Sequence, residues 1–424
     1  MMNAAFTEAV RYELDATCVT PLRAGSSDGN PEEVLRRKDG QMFLQGTSLA
    51  GAMREWISRH YGVKQASALM GCQEKNGHLM VSDGVFAAGT EMVIRPRLRI
   101  DGATGSAADG GKFNVAHTAA GSRFSFTLTW LGCQECMEEV ELVEEVLSVM
   151  EAGEICLGAQ KTNGFGRVSL KVRKRAFDLE QEQDREAWLS DEPGGQAITL
   201  KKLKNSDAVT FEVHAYVPRI LVKSEAAVED SEGSCTANLT ENGKPVIPGS
   251  SIKGPVLSRA KSIAALLHVP TEVTDLAFGR AAEADDNGIA GCVRFEDALI
   301  EKNKPQKITR IRIDRFTGGV IRGGLFREEP VSGELTLRIT APADQPEACA
   351  LLLLALRDLG LGLYGLGSGG AVGRGILKVR EITAAAGDET LSLTFGSAGA
   401  CKTEDPDALW KRWAEALGGV CDEA

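Results

Sequence analysis

Two carboxylates stand at matching places in two polar loops. Asp28 lies in Gly25-Ser-Ser-Asp-Gly-Asn30, 18 residues before Gly46, and Asp230 lies in Glu225-Ala-Ala-Val-Glu-Asp-Ser-Glu232, 19 residues before Gly249. A carboxylate held in such a loop can position a divalent metal or draw the proton from a 2′-hydroxyl. Loop acids commonly do neither, so the pair counts because it recurs. Cys133-Gln-Glu-Cys136 is the one CxxC of the chain. With Cys72, His78 or Cys156 it would complete a zinc site, but no second CxxC or paired histidine appears, which favours ordinary thiols. The five histidines (60, 78, 117, 214, 268) form no nucleophile or acid–base pattern, and none is beside a glycine-rich turn in the sequence.

Those turns are Leu157-Gly-Ala-Gln-Lys-Thr-Asn-Gly-Phe-Gly-Arg167 and Leu363-Tyr-Gly-Leu-Gly-Ser-Gly-Gly-Ala-Val-Gly-Arg-Gly375. The glycines, Gly164, Gly166, Gly369, Gly370 and Gly373 among them, let backbone N–H groups approach a phosphate, which Lys161, Arg167 and Arg374 can neutralise. No Gly-Lys-Ser/Thr follows at P-loop spacing. One such turn alone would read as tight helix–strand packing; two, each ending Gly-Arg, favour an anion site. The segments Gly46-Thr-Ser-Leu-Ala-Gly51 and Gly249-Ser-Ser-Ile-Lys-Gly254 offer free helix-start N–H groups with the hydroxyls of Thr47, Ser48, Ser250 and Ser251. An N-cap with a close-packing glycine explains them equally. Lys253 favours phosphate contact in the second segment, and Ala50 weakens the first.

The basic segments Arg95-Pro-Arg-Leu-Arg99 and Arg310-Ile-Arg-Ile-Asp-Arg315 alternate charge with apolar residues, so as strands they array arginines such as Arg310 and Arg312 on one face. A solvated sheet edge is the competing reading. After Arg315, Phe316 and Thr317-Gly-Gly319 suit a projecting turn that stacks against bases.

Behind these residues stands a duplicated scaffold. Gln45–Gly51 matches Pro248–Gly254, Leu98-Arg-Ile-Asp101 matches Ile311-Arg-Ile-Asp314, and Gly166–Val172 matches Gly373–Val379, at offsets of 203, 213 and 207. Each copy opens with an alternating strand, Arg11–Cys18 or Val209–Tyr216, then a Ser/Thr-capped helix, an extended basic segment, a second helix, the glycine-rich turn and a last strand. That order predicts an α+β protein of two ferredoxin-like, RRM-like units, each a split βαβ whose open sheet can lay out single-stranded RNA.

Length and charge bound the reading. At 424 residues, two domains are expected, and 43% hydrophobic with 25% charged residues is a globular mix. The formal charge of −11 argues at first against nucleic acid. Residues 133–154 carry −8 as the polar face of a helix, and residues 176–196 carry −6 as an interdomain linker ending in Asp-Glu-Pro-Gly-Gly. The rest of the chain is therefore +3, and residues 302–327 hold a local +7. No apolar run reaches the ~20 residues of a membrane span, and the N-terminus lacks a signal core. A cytoplasmic protein with ten reduced, scattered cysteines is expected. The tail Trp410-Lys-Arg-Trp413 is amphipathic and suits packing on copy two or a partner.

Ile247-Pro-Gly-Ser-Ser-Ile-Lys-Gly254, Arg312-Ile-Asp-Arg-Phe-Thr-Gly-Gly319 and Gly367-Ser-Gly-Gly-Ala-Val-Gly-Arg-Gly375 together resemble the RAMP superfamily, in particular backbone subunits of type III CRISPR effector complexes. The chain resembles a tandem fusion such as those of subtype III-D, with units at 1–175 and 206–424 joined by an acidic linker at 176–205. The resemblance implies palms that hold guide RNA, inserted β-hairpin thumbs after Asp101 and Asp314 that kink a guide–target duplex, and partners comprising guide RNA, target RNA and other type III effector subunits. It further implies target-RNA cleavage at Asp28 and Asp230 with Mg²⁺ or Mn²⁺. A non-catalytic scaffold and a guide-processing endoribonuclease remain alternatives. Copy one departs from the family pattern with Gln-Gly-Thr-Ser, Ala50 and a thumb poor in basic and aromatic residues.

Overall fold

A computed structural model of the chain describes residues 6–26, 29–100, 107–191, 194–203, 207–224, 228–230, 233–282, 287–396 and 400–422, with the backbone alone at 228–230, 233 and 419–422. The chain forms two compact units, Met1–Ile94 with Asn114–Lys161 and Phe165–Asn205, and Arg95–Phe113 with Thr162–Gly164 and Ser206–Ala424.

The first unit is built on strand Glu8–Cys18. Its even positions Val10, Tyr12, Leu14, Ala16 and Cys18 are buried, while Arg11, Glu13 and Asp15 alternate outward, the period of a one-sided strand. It pairs antiparallel with Arg123–Gly132 on one side and Val168–Asp178 on the other. Short strands Leu79–Val81 and Gly84–Phe86 extend the sheet beyond Arg123–Gly132. With helices Gly46–Met70 and Glu138–Ala152, the order is the split βαβ of a ferredoxin-like palm. Helix Glu138–Ala152 buries Val140, Val143, Leu147 and Met150 and turns most of its glutamates outward. Glu139 is the exception. It is buried, and accepts hydrogen bonds from Trp130 Nε1 at 2.8 Å and pairs with His78 Nδ1 at 2.7 Å.

The acidic stretch 176–205 is not a free linker. It carries helix Glu182–Leu189 and strand Gln196–Ile198, which pairs with Val172–Lys174 at the sheet edge. Trp188 packs edge-on against Phe177 at 5.3 Å, beneath the Arg11 guanidinium. Apolar contact and ladder hydrogen bonds outweigh the local charge, so the stretch finishes the first palm.

The second unit repeats the plan. Strand Ala208–Ile220 lies between Val331–Pro342 and Lys378–Ala386, with Arg294–Phe295 outside Val331–Pro342 and helices Gly249–Leu266 and Pro346–Gly360 completing the palm. Strands Glu389–Phe395 and Cys401–Glu404 widen the sheet. Helix Leu409–Asp422 then places Leu409, Trp413 and Leu417 in the core, with Trp413 at 5.7 Å from Phe211. The amphipathic tail is thus part of copy two.

Each copy also carries a hairpin: Met92–Ile100 with Ala107–Thr118, and Ile308–Ile313 with Val320–Glu329. Within the segment expected as a loop around Asp230, Val228–Asp230 is a strand. It pairs with Gly233–Ala237, which lies parallel to Val320–Glu329, so Asp230 sits on the sheet of the second hairpin. Among the described residues, no helix is long and apolar enough to cross a membrane.

Candidate nucleic-acid interface

The two helix starts are built alike, though not by the Ser/Thr caps expected. Helix Gly46–Met70 follows Gln45 and helix Gly249–Leu266 follows Pro248, neither with a side-chain cap. Instead a carboxylate from the short connection between two neighbouring strands takes the first amide: Gly46 N donates to Asp83 Oδ1 at 2.8 Å, and Gly249 N to Asp297 Oδ1 at 2.7 Å. A side chain at either glycine would meet a strand carbonyl, Val81 O at 2.5 Å or Phe295 O at 1.9 Å. Close packing requires both glycines. Thr47 and Ser48 are exposed, and Ser250 and Ser251 half-buried, so their hydroxyls border the surface of the first turn.

Asp83 and Asp297 escaped the sequence reading. Their signal was an apolar-x-Asp-small pattern, Val81-Ser-Asp-Gly84 and Phe295-Glu-Asp-Ala298, in both copies.

Both helix starts have a cation at the capping acid: in the first unit Arg37 lies 3.8 Å from Asp83. Within the second unit Arg95 is buried, pairing with Glu241 and, at 2.7 Å, with Asp297. Burial holds the Lys253 ammonium below its ordinary value, and the nearby Arg97 adds to the effect. An anion arriving beside Lys253 would relieve both penalties. In the first unit the corresponding place holds Ala50, and a cavity of about 280 Å³ opens among Thr47, Ala50, Gly51 and Arg54.

The glycine-rich turns superpose by hydrogen bonds rather than by the Gly-Arg match. Leu157 N donates to Gly166 O and Leu366 N to Gly375 O, both at 2.9 Å. Gly166 N reaches Pro21 O at 2.9 Å, and Gly375 N reaches Arg219 O at 2.8 Å, each at the end of its palm's first strand. Gly375, not Gly373, therefore stands where Gly166 stands. Arg374 then corresponds to Phe165 rather than Arg167, and both are interior, at 3% and 0% exposure. Arg374 Nη2 pairs with the buried Glu328 at 2.7 Å. Burial pushes the Glu328 carboxyl up, but the hydrogen bonds from Arg374 and Arg310 outweigh it and hold it below the carboxylate range. Arg374, expected at a phosphate, instead ties the turn to strand Val320–Glu329.

The other turn residues divide. Gly164 and Gly166 are buried where a side chain would strike Glu296 at 2.5 Å and Leu157 O at 2.0 Å, so they serve packing. Gly369 adopts φ 82°, and Gly370 and Gly373 have open space beside them at an exposed tip. Lys161 lies at the surface, 3.7 Å from Glu55. The Arg167 side chain lies over Gly153, the C-cap of helix Glu138–Ala152. A histidine does adjoin the first turn in space: His117 packs on Phe165 with ring centroids 5.1 Å apart, but it is fully buried.

The second hairpin ends in an ordered, exposed tip. Asp314 Oδ1 accepts from Phe316 N at 2.9 Å, Thr317 N at 2.8 Å and Thr317 Oγ1 at 3.1 Å. Those bonds, the Thr317 amide first, hold its carboxyl below the usual range. They leave Phe316 99% exposed between Arg315 and the exposed Val320. Arg312 is also exposed, whereas Arg310 is held by Glu328 at 3.0 Å and lies over Phe326 at 5.1 Å. An aromatic ring fixed in solvent among arginines can stack on a base while the cations meet phosphate.

Asp28 lies outside the described residues, and so does the side chain of Asp230. Among the described residues no three His, Cys, Asp or Glu gather to hold a metal ion. Cys133 and Cys136 sit as thiols 3.3 Å apart, while His78 is engaged by Glu139.

No curated protein matches this chain. A family profile described as the RAMP superfamily matches residues 15–169 and 234–378, one match per palm. Two palms of one plan, each with its hairpin, glycine-rich turn and acid-capped helix start, together with that double match, make this chain a member of the RAMP superfamily as a tandem of two RAMP units.

Proposed function

We propose that the protein is the guide-RNA-binding backbone subunit of a type III CRISPR ribonucleoprotein, of the fused kind found in subtype III-D, acting in the cytoplasm with other effector subunits. RAMP proteins generally bind CRISPR RNA within multi-subunit complexes. The observation that carries the reading is the second hairpin tip, where Asp314 presents Phe316 to solvent beside Arg312 and Arg315. In this reading Lys253, Ser250 and Ser251 meet guide phosphates at the helix start, Gly370 and Gly373 admit the strand at the turn, and Phe316 stacks where the guide–target duplex is interrupted.

The proposal extends to cleavage of target RNA at Asp28 and Asp230. Each carboxylate would take the proton of a 2′-hydroxyl; that oxygen attacks the adjacent phosphorus to give a 2′,3′-cyclic phosphate, and the 5′-oxygen leaves as a hydroxyl with a proton from water. Mg²⁺ or Mn²⁺ would rest on these aspartates with RNA oxygens and stabilise phosphate charge. Guide processing is disfavoured because His117, the histidine beside a glycine-rich turn, is buried.

The test is reconstitution with partner subunits and guide RNA, then labelled complementary RNA with Mg²⁺. Cuts are expected at regular intervals, with Asp28→Ala and Asp230→Ala each removing its own. If both variants leave every cut intact, the cleavage proposal fails and the scaffold reading stands. If the wild-type chain retains no guide RNA, the whole proposal fails.

A further inference from the structure

Independently of RNA, the first palm carries a pair of thiols that no role above uses. Cys133 precedes and Cys136 ends the 3-10 turn Gln134–Cys136, at the junction from strand Arg123–Gly132 into helix Glu138–Ala152. Cys136 N donates to Cys133 O at 2.9 Å, closing the turn, and the two sulfurs lie 3.3 Å apart. Both side chains are half-exposed, so a small oxidant can reach them. A CxxC at the strand-to-helix turn of a βαβ crossover is the setting in which dithiol–disulfide chemistry occurs. The metal alternative lacks ligands, since no third His, Cys, Asp or Glu joins the pair among the described residues.

We propose that Cys133 and Cys136 form a reversible intrachain disulfide by exchange with a low-molecular-weight disulfide such as oxidised glutathione. The thiolate of Cys133 attacks one glutathione sulfur, giving a mixed disulfide and releasing one glutathione thiol. Cys136, losing its proton, then attacks the Cys133 sulfur and expels the second. Two thiol protons and two electrons pass to glutathione disulfide, which becomes two thiols.

The order follows from the surroundings. The hydrogen bond to Cys133, then burial, raises the Cys136 thiol, with Glu139 adding to the effect. The first helical turn carries Glu138, Glu139 and Glu141, so the helix start does not stabilise a thiolate as it does in strongly oxidising CxxC proteins. The dithiol gains little from its reduced state, and the bridge is expected to form under comparatively reducing conditions.

The native full chain would be equilibrated in glutathione buffers of graded poise, quenched in acid, alkylated and cut after glutamate. Cleavage after Glu135 severs the backbone between the two cysteines, so only a bridge keeps the fragments joined. The expected result is joined fragments, 2 mass units lighter than the sum of the two free-thiol fragments, at a poise where the exposed Cys72 and Cys401 still alkylate. Cys133→Ser should abolish the joined species and leave Cys136 alkylated there. The proposal is overturned if both thiols stay free after Cys72 and Cys401 react, or if each carries its own glutathione. It is equally overturned if one equivalent of Zn²⁺ alone blocks alkylation of both in a chelator-reversible way.

Discussion

The helix start of the first palm and that of the second share a frame and differ in charge. In both, a glycine presses against a strand carbonyl and its amide is held by an aspartate from the connection between two neighbouring strands. The second adds Lys253, with Arg97 near it and the buried Arg95–Asp297 pair behind it. The first has Ala50, a cavity bordered by Arg54, and Arg37 at 3.8 Å from Asp83. Duplication has kept the parts that closure of the palm demands and varied the parts that the proposed function gives to a ligand. Recurrence across the copies therefore marks structure at these places, and difference is where the proposed function puts binding.

The largest expected effect tests whether Arg374 belongs to the core, as its counterpart Phe165 does. Arg374→Ala would strip the buried Glu328 of one of its two arginine partners, leaving Arg310, and should cost about 3 kcal/mol in urea unfolding of the second unit. Replacing Arg374 and Glu328 together with methionine should recover most of that. Unchanged stability with lost RNA binding would return Arg374 to the ligand. Next, Phe316→Ala should weaken guide–target duplex binding by about 1–3 kcal/mol, the range for base stacking on an aromatic residue. Asp314→Asn should cost less, by loosening the tip without removing the ring. A swap at the helix starts comes third: Lys253→Ala should weaken guide affinity about tenfold (~1.4 kcal/mol), and Ala50→Lys should strengthen it by less. The smallest effect is acid sensitivity. Glu328 has a folded-state value below its unfolded one, so its stabilisation is complete above the ordinary glutamate range and is lost as pH falls through the lower folded value. Phe165 offers no such group. Hydrogen exchange on acidification should open the second glycine-rich turn before the first, and Glu328→Gln should remove that difference.

Much of this was legible in the residues. The alternation in Glu8–Cys18 and Ala208–Ile220 and the three collinear matches were enough for two split βαβ units, and Thr317-Gly-Gly319 after Phe316 announced a tip. What escaped was anything decided by long-range pairing. The carboxylates capping the helix starts come from 37 and 48 residues downstream, beyond any local pattern. The Gly-Arg match placed Arg374 two residues out of register, because sequence identity in the following strand says nothing of which glycine closes the turn. The acidic stretch looked like a linker because charge is local, whereas its packing against Phe177 and Val172–Lys174 is not.

The central claim is that the second copy is the principal RNA-binding half, through a partly buried lysine and an exposed aromatic tip. The most direct measurement is the affinity of the full chain for single-stranded guide RNA as a function of salt, for the wild type, Lys253→Ala and Phe316→Ala. Loss of one phosphate contact should lower the slope of log K against log salt by about 0.7 in Lys253→Ala. Phe316→Ala should weaken binding with the slope unchanged. An unaltered slope and affinity in Lys253→Ala, with Ala50→Lys equally silent, would contradict the account.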